Sequence, residues 1–354
     1  MCFTEGVHRM LYREDKELSA GTKQAYIDGL NRLLAQRQAL SQQLRDSYCK
    51  DFFSRQEEHR TALRQMLGWP LTEEKPLSPP AATAELLSRE DGYCIYRMQF
   101  EILEGLNMAG LFFKADSNEP LPLVVVQHGG EGTPELISGF YGSTSNYHDM
   151  VHRVRQQGVH VFAPQLLLWH DDYRVAYDRQ SVDARLKRVG SSITAIEVYG
   201  ISRILDYFEA QSYVSAFGMV GLSYGGFYTL YTSAVDTRIQ SAISCAFFNN
   251  GDANERSDWT WFRSAQMFDD AETACLTYPR KLCIEIGNRD NLFDCELGIE
   301  SFARIKALCH TVGTQWVDFI VFDGTHEFCR DDAPIHRLVR DLKAADGSAE
   351  NSRH

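Results

Sequence analysis

A serine lies between glycines at residues 221–226, which read GLSYGG and directly follow the apolar run 217–220. This is the G-x-S-x-G pattern of a nucleophile elbow, a sharp turn between a strand and a helix that exposes a serine hydroxyl. Glycines are needed because side chains two residues to either side of the serine would collide with the neighbouring strand or helix. A chain of this length contains the pattern by chance roughly one time in ten. Ser223 is therefore predicted as a nucleophile if suitable partners lie downstream.

An elbow serine needs a base to take its proton and an acid to orient that base. In the fold that uses this elbow, the serine, the acid and a histidine follow one another in that order. Asp290 comes after the predicted strand 282–286, and His326 comes after the predicted strand 317–322. Because the carboxyl ends of parallel strands open on the same edge of a sheet, we expect Ser223, Asp290 and His326 to converge.

Other residues compete for these roles. Asp294 and Asp323 remain alternatives for the acid, since loop length decides which carboxylate reaches the histidine. His128 precedes the serine in the chain, and we expect it to be structural. In a catalytically inactive relative of the same fold, Ser223 would be an ordinary serine at the start of a helix.

The oxyanion of a tetrahedral intermediate needs two preorganised N–H donors. One candidate is the backbone N–H of Tyr224, immediately after the nucleophile. The other should come from the loop 127–132, which reads QHGGEG and follows the apolar run 123–126. Glycines in this loop let the backbone approach a substrate closely. We expect the Gly130 N–H to be the second donor, with Glu131 as the neighbouring alternative.

The composition is that of a globular protein with an ample core, since 44% of the 354 residues are apolar and 24% are charged. A formal net charge of −12 without a Lys/Arg stripe argues against nucleic acid as a partner. No run of about 18 apolar residues is present, so no membrane span is predicted. The nine cysteines are scattered without a C-x-x-C pair and no secretory leader is visible. These features predict a reduced, cytoplasmic setting.

The elements that must position these residues follow from hydrophobic periodicity. A hairpin is predicted from strands at 93–103 and 108–114. After it, apolar runs alternate with helical segments, which predicts a mostly parallel sheet covered by helices on both faces. The runs are 123–126, 159–163, 217–220, 239–248, 282–286 and 319–322, and the helices are 147–157, 184–210, 224–235, 296–309 and 333–344.

The N-terminal part is predicted to be helical over residues 17–67, with a second helix at 54–67. Apolar residues follow a 4-3 spacing that Arg37 interrupts, namely Tyr26, Leu30, Leu33, Leu40 and Leu44. One interpretation is an amphipathic cap packed on the main domain. The other is a dimerisation arm, because a short heptad-like seam could pair with itself and form a homodimer.

Four prolines between residues 70 and 80 interrupt regular helix and mark a candidate boundary. We therefore expect a helical extension at 1–80, a catalytic domain at 81–344 and a flexible, polar tail at 345–354.

These motifs together resemble the α/β-hydrolase superfamily over about residues 90–343. Within it, the chain is similar to the dienelactone hydrolase and acetylxylan esterase group. The similarity rests on the helical extension, the segment LGWP at 67–70, the hairpin and the His-Gly loop 127–130 before the elbow.

The resemblance implies an α/β-hydrolase fold and a serine esterase or related acyl hydrolase that acts on a small-molecule ester. It implies no metal and no organic cofactor. Carried over to this sequence, it implies Ser223 as nucleophile, His326 as general base and then acid, and Asp290 as the residue that orients the histidine.

Two stretches depart from the family and should influence substrate choice. Residues 165–172 read QLLLWHDD where many relatives have an aspartate and a glycine-rich turn. Residues 249–262, which include three aromatic side chains, resemble an insertion that lines the pocket. Aromatic side chains there could stack on a sugar or planar acyl group, or form a lid over a dry pocket. The residues expected to bind substrate are Trp169, His170, Trp259, Trp261 and Phe262.

The sequence therefore predicts a serine hydrolase that cleaves carboxylic esters through an acyl-enzyme intermediate. A peptidase of the prolyl-oligopeptidase type shares the elbow and the His-Gly-Gly loop, but usually carries a large propeller-like domain for which the helical N-terminus leaves no room. A carbon–carbon hydrolase on the same three residues and a binding protein without turnover remain alternatives.

Overall fold

A mixed β-sheet forms the centre of the structure, a computed structural model that describes residues 11–168, 178–253 and 256–351. The strands in these residues are β1 (Ala82–Glu90), β2 (Tyr93–Leu103), β3 (Leu106–Ala115), β4 (Leu121–Gln127), β5 (His160–Pro164), β6 (Val214–Leu222), β7 (Ile239–Cys245), β8 (Lys281–Gly287) and β9 (Val317–Phe322). They form one sheet in the order β1-β2-β3-β5-β4-β6-β7-β8-β9. The first three strands and the β3–β5 pair are antiparallel, whereas every pair from β5 to β9 is parallel.

Helices cover both faces of this sheet. In the described residues they are α1 (Lys16–Tyr48), α2 (Gln56–Leu67), α3 (Pro134–Ile137), α4 (Met150–Arg155), α5 (Arg179–Arg188), α6 (Ile193–Glu209), α7 (Tyr224–Val235), α8 (Asp270–Cys275), α9 (Cys295–Leu308) and α10 (Ala333–Asn351). The side chains of β4 show the two layers, because Leu123 and Val125 join one buried cluster while Val124 and Val126 join the other. Successive strand residues point to opposite faces, so a strand buried on both sides is apolar at every position.

The predicted α/β architecture is confirmed, with differences at particular elements. The strand β1 was not predicted because most of its residues are exposed and carry no alternating apolar pattern. The predicted strand 239–248 ends at Cys245, since Ala246 adopts a left-handed φ of 51°.

The prediction of one helix over 184–210 is wrong, because α5 and α6 are separate helices. Gly190 adopts a φ of 83° between them, and the Ser192 side chain caps α6 by accepting a hydrogen bond of 3.0 Å from the Ala195 N–H. Such a left-handed glycine followed by a capping serine ends one helix and begins the next. At the other end of the chain, α10 continues to Asn351, so the predicted tail is helical up to that residue.

The two N-terminal helices differ in their packing. Leu63 and Leu67 of α2 are buried in the main core, and the Arg60 guanidinium donates a hydrogen bond of 3.1 Å to the Leu276 carbonyl. In contrast, α1 has no buried residue over its whole length. The packing expected of an amphipathic cap is therefore found for α2, whereas α1 is not packed on the main domain along its length.

No helix in the described ranges combines the length and apolar character that a membrane span requires.

Candidate active site

Ser223 lies at the turn between β6 and α7 with a φ of 59° and a ψ of −120°. Positive φ is uncommon for a residue with a side chain, and here the Ser223 N–H donates a hydrogen bond of 2.9 Å to the Cys245 carbonyl. The flanking glycines allow this turn. A Cβ on Gly221 would lie 2.1 Å from the Gly225 carbonyl oxygen, and one on Gly225 would lie 2.1 Å from the carbonyl oxygen of Gln127. The elbow interpretation therefore matches the backbone geometry.

Asp290 and His326 form a hydrogen-bonded pair at the ends of β8 and β9. His326 Nδ1 lies 2.9 Å from Asp290 Oδ2, and the Asp290 side chain is fully buried. The other carboxylate oxygen accepts backbone hydrogen bonds from Leu292 at 2.8 Å and Phe293 at 3.1 Å. The Phe293 ring also stacks on the imidazole with centroids 5.7 Å apart. The carboxylate and the ring are therefore held in one orientation.

The two alternative acids form other contacts. Asp294 caps α9 by accepting a hydrogen bond of 2.8 Å from the Glu296 N–H. Asp323 forms an exposed ion pair of 3.0 Å with Arg289. The structure thus places Asp290, and neither alternative, beside His326.

Ser223, Asp290 and His326 all line a cavity of about 1060 Å³ at the carboxyl edge of the parallel strands. In the described part of the chain, no hydrogen bond joins the Ser223 hydroxyl to the His326 ring. Such contacts are often long in the unliganded state and tighten when substrate binds.

The loop after β4 lies against the serine. A Cβ on Gly129 would lie 3.2 Å from the Ser223 Cβ, and the Gly129 N–H donates a hydrogen bond of 2.9 Å to the Tyr147 hydroxyl. The next two residues, Gly130 and Glu131, both line the cavity. Neither backbone N–H has a hydrogen-bond partner among the residues described. Both therefore remain candidates for the second oxyanion donor.

Tyr224, the other expected oxyanion donor, is the first residue of α7. Its side chain contacts a buried ionic cluster formed by Arg179, Glu197 and Asp258. Its hydroxyl donates a hydrogen bond of 2.7 Å to Asp258 Oδ2, which also lies 2.7 Å from Arg179 Nε. Arg179 Nη1 lies 2.9 Å from Glu197 Oε2, which accepts a hydrogen bond from the Tyr228 hydroxyl. Burial opposes the charge of Arg179, but the neighbouring Glu197, Tyr228 and Asp258 outweigh it and raise its pKa.

This ionic cluster also holds the chain after β5. The Leu167 N–H donates a hydrogen bond of 2.8 Å to Glu197 Oε1, and Arg179 donates one of 3.1 Å to the Leu167 carbonyl. Sequence reasoning missed the cluster, because its charged members come from three separate segments and each looks like an ordinary surface residue. The one available signal was Glu197, the single charged residue within the stretch 193–202.

His128 is buried, and its ring has a defined tautomer. Nε2 accepts a hydrogen bond of 3.1 Å from the Leu166 N–H, so Nδ1 carries the proton and donates it to the Gly129 carbonyl at 2.8 Å. Burial lowers the pKa of His128 to about 4. A neutral histidine that fixes two loops agrees with the structural role predicted for it.

The three predicted aromatic binding residues between positions 259 and 262 differ in their position relative to the cavity. Trp259 lines the cavity and packs on the Tyr224 ring with centroids 4.4 Å apart. Trp261 is buried in the core, where its ring stacks on Phe227 at 6.4 Å. Phe262 is 89% exposed. Neither Trp261 nor Phe262 lines the cavity, so of these three only Trp259 is placed to touch a substrate.

The other two predicted binding residues, Trp169 and His170, lie outside the described residues. Many other cavity-lining side chains are polar, and these are Glu131, Ser145, Asn146, Asn249, Asn250, Arg256, Asn288, Asn291, Asp294 and Glu296. Sequence reasoning did not single out Ser145, Asn146, Asn288, Asn291 and Glu296. The described ranges contain no group of three or more His, Cys, Asp or Glu side chains placed to hold a metal ion.

No protein-family model matches this sequence. Curated proteins also yield no match.

Several solved structures are similar in fold. One is a Bacteroides fragilis protein assigned as an acetyl xylan esterase, at 16% identity and a TM-score of 0.60, with 78% of this chain and 77% of that chain covered. A glucuronoyl esterase from Solibacter usitatus gives 15% identity and a TM-score of 0.60, with 82% and 92% covered. Acetyl xylan esterase 1 from Thermoanaerobacterium sp. gives 12% identity and a TM-score of 0.55, with 82% and 93% covered.

These similarities cover 78% to 82% of this chain. Together with the strand order and the strained serine between β6 and α7, they confirm the α/β-hydrolase fold that the sequence predicted.

Proposed function

We propose that this protein is a serine hydrolase that cleaves carboxylic esters. The observation that carries the proposal is the cavity onto which three groups open: Ser223 on its elbow, and the hydrogen-bonded pair of His326 and Asp290. The solved structures similar in fold include esterases, which supports the same reaction class.

The first half of the reaction forms an acyl-enzyme. The Ser223 hydroxyl oxygen attacks the ester carbonyl carbon while His326 Nε2 takes the hydroxyl proton. The carbonyl oxygen becomes an oxyanion, which the N–H group of Tyr224 and that of Gly130, or of its neighbour Glu131, stabilise. When the intermediate collapses, the carbon–oxygen bond to the alcohol breaks, and His326 returns the proton to the departing alcohol.

Water completes the reaction by the same route. His326 removes a proton from water, the resulting hydroxide oxygen attacks the acyl carbon, and the bond to Ser223 breaks as the serine recovers its proton. The product is the carboxylic acid. Asp290 acts through the histidine, because its buried carboxylate accepts from Nδ1–H and leaves Nε2 as the base.

The lining of the cavity favours an ester with a polar, carbohydrate-like part. The asparagine amides can exchange hydrogen bonds with hydroxyl groups, and Trp259 provides an aromatic wall of the kind on which sugar rings stack. A purely apolar acyl or alcohol group would cover these polar side chains without exchanging hydrogen bonds with them. The acetyl xylan and glucuronoyl esterases are similar structures whose names also indicate sugar esters.

The test combines covalent labelling with turnover. A fluorophosphonate should attach to the wild-type protein at Ser223, and Ser223→Ala should abolish both labelling and hydrolysis of an acetylated xylo-oligosaccharide, by about a million-fold in turnover. Ser19→Ala, which changes an exposed serine on α1, is the matched control and should retain both. Cleavage of peptides but not esters would indicate a peptidase instead. Full hydrolysis by Ser223→Ala would refute the mechanism.

A further inference from the structure

The helix α1 carries a row of apolar side chains that the described part of this chain does not bury. Seven of them are 37% to 74% exposed, namely Tyr26, Ile27, Leu30, Leu33, Leu34, Leu40 and Leu44. Residues 16–40 are exposed throughout, apart from half-buried Gly29. A contiguous apolar surface of this kind usually marks an interaction site.

Among the described residues, the contacts that hold α1 to the body of the protein lie toward the C-terminal end of the helix. Arg45 forms an ion pair of 3.1 Å with Asp269, Asp46 forms one of 2.7 Å with Arg304, and Cys49 just beyond the helix is buried. Helices in proteins are stabilised mainly by packing of their apolar face, and Gly21 within the exposed part lowers its helical propensity further. We therefore expect the exposed part of α1 to be covered in solution.

The spacing of the row indicates what covers it. Positions 26, 30, 33, 37, 40 and 44 are separated by alternating steps of four and three residues. This is the a/d repeat of a coiled coil, whose natural partner is another helix of the same repeat. The flanking positions 27, 29, 34, 36, 41 and 43 carry no charge, so two copies would not repel each other there. Charge at the flanking positions therefore does not oppose the pairing of two copies.

The apolar area is large enough for a stable pair. Taking about 200 Å² for a fully exposed large side chain, the seven exposed fractions add to roughly 700 Å² per helix, close to the ~800 Å² per partner of a standard interface. The residues from 26 to 44 span about 27 Å of helix, or five turns.

We propose that a second copy of this chain covers the seam, and that α1 pairs with α1 in an antiparallel, two-fold arrangement. Arg37 selects the antiparallel direction. In a parallel pair, Arg37 would face its own counterpart across the seam, which places two like charges together. In an antiparallel pair centred near residue 35, it faces an apolar position, and its charged end can reach water past the flanking glutamines.

The test measures mass in solution by sedimentation of the whole chain across the micromolar range. The wild type should sediment at twice the chain mass. Leu30→Glu combined with Leu33→Glu should sediment as a monomer, because the charges would be buried in the seam. Asn31→Glu combined with Gln38→Glu adds the same charges to the outer face of α1 and should remain a dimer. A monomeric wild type, or a dimeric seam variant, would overturn the proposal.

A second variant avoids the risk that the seam charges unfold α1. Arg37→Leu completes the apolar repeat and should lower the dimer dissociation constant by at least tenfold. An unchanged or raised dissociation constant would contradict the arrangement. The outcome is separate from the proposed reaction, since no residue of α1 lines the cavity, and Ser223→Ala should dimerise as the wild type does.

Discussion

The Tyr224 hydroxyl donates a hydrogen bond of 2.7 Å to Asp258 Oδ2, the oxygen that also lies 2.7 Å from Arg179 Nε. Tyr224 thereby joins two parts of the site. Its backbone follows the nucleophile and its side chain fastens the elbow to the segment that carries Trp259. The geometry of the expected oxyanion donor depends on a buried ion pair that does not itself face the cavity.

Tyr224→Phe should remove this hydrogen bond and keep the ring and the backbone N–H. Because Asp258 keeps Arg179 as partner, we expect a loss of about 1.5–3 kcal/mol in the free energy of unfolding, the range for hydrogen bonds to charged groups. Turnover should fall much less than in Ser223→Ala. Urea denaturation and ester kinetics measure the two effects. Tyr207→Phe, at a tyrosine whose hydroxyl has no partner among the described residues, is the control, and equal stability of the two variants would argue against the role of Tyr224.

Arg179→Met should be far more damaging. It leaves the Glu197 carboxylate buried without its cation and leaves Asp258 with the more distant Arg256, at 3.9 Å, and breaking a buried pair in this way costs about 3–5 kcal/mol. Chemical denaturation should show this loss. Arg185→Met removes an exposed arginine of the same helix, α5, and should change stability by about 0.5 kcal/mol or less. Similar midpoints for the two variants would show that the cluster contributes little.

Asp290→Asn should lower turnover by about ten-thousand-fold, as expected when the residue that orients the histidine favours the wrong tautomer. The fold should persist, because an amide oxygen can still accept from the Leu292 N–H. Asp323→Asn makes the same chemical change at an exposed position and should leave turnover nearly unchanged. If Asp323→Asn were the more damaging variant, the acid would have been assigned to the wrong strand end.

Glu285 should make stability depend on pH. Burial raises the pKa of Glu285 from 4.5 to about 7, and the side chain is 1% exposed. The folded protein therefore holds a proton that the unfolded chain releases between about pH 4.5 and 7, so this group destabilises the fold as pH rises through that window. At one pKa unit per 1.36 kcal/mol, the effect is about 3 kcal/mol.

Glu285→Gln should remove that dependence. The variant should gain stability relative to the wild type as pH rises from about 4.5 to 7, with the difference levelling off above pH 7. Denaturation of both proteins at several pH values measures it, and other titrating groups cancel in the difference. A constant difference across the window would mean that Glu285 is already ionised in the folded protein.

Three aromatic residues in a short segment should respond differently to replacement by alanine. Trp259→Ala removes a cavity wall and should lower kcat/KM for a sugar ester by about tenfold or more. Trp261→Ala empties a core position and should cost about 3–5 kcal/mol of stability. Phe262→Ala should change neither kcat/KM nor stability by much, since the side chain is 89% exposed. Equal effects of Trp259→Ala and Phe262→Ala on kcat/KM would remove Trp259 from the binding wall.

The parts of the fold that depend on local signals could be read from the sequence. The glycines of the elbow predicted the turn at Ser223. The alternation of apolar runs with helices predicted a mostly parallel sheet and the strand ends that carry Asp290 and His326. The break between α5 and α6 also had a local signal in Gly190 and Ser192, which the apolar periodicity of the surrounding helices concealed. These features are determined by residues close together in the chain, through steric limits on the backbone and the burial of regularly spaced side chains.

Other features were decided only by the tertiary structure. The sequence favoured Asp290 as the acid but left Asp294 and Asp323 open, and the folded loops decide which carboxylate meets the histidine. Arg179, Glu197 and Asp258 lie in three distant segments, and no local pattern indicates that their charges share one buried site. Burial and pairing of such groups depend on which surfaces meet after folding, because a charge is tolerated inside a protein only where separate parts of the chain bring its partners within hydrogen-bonding distance.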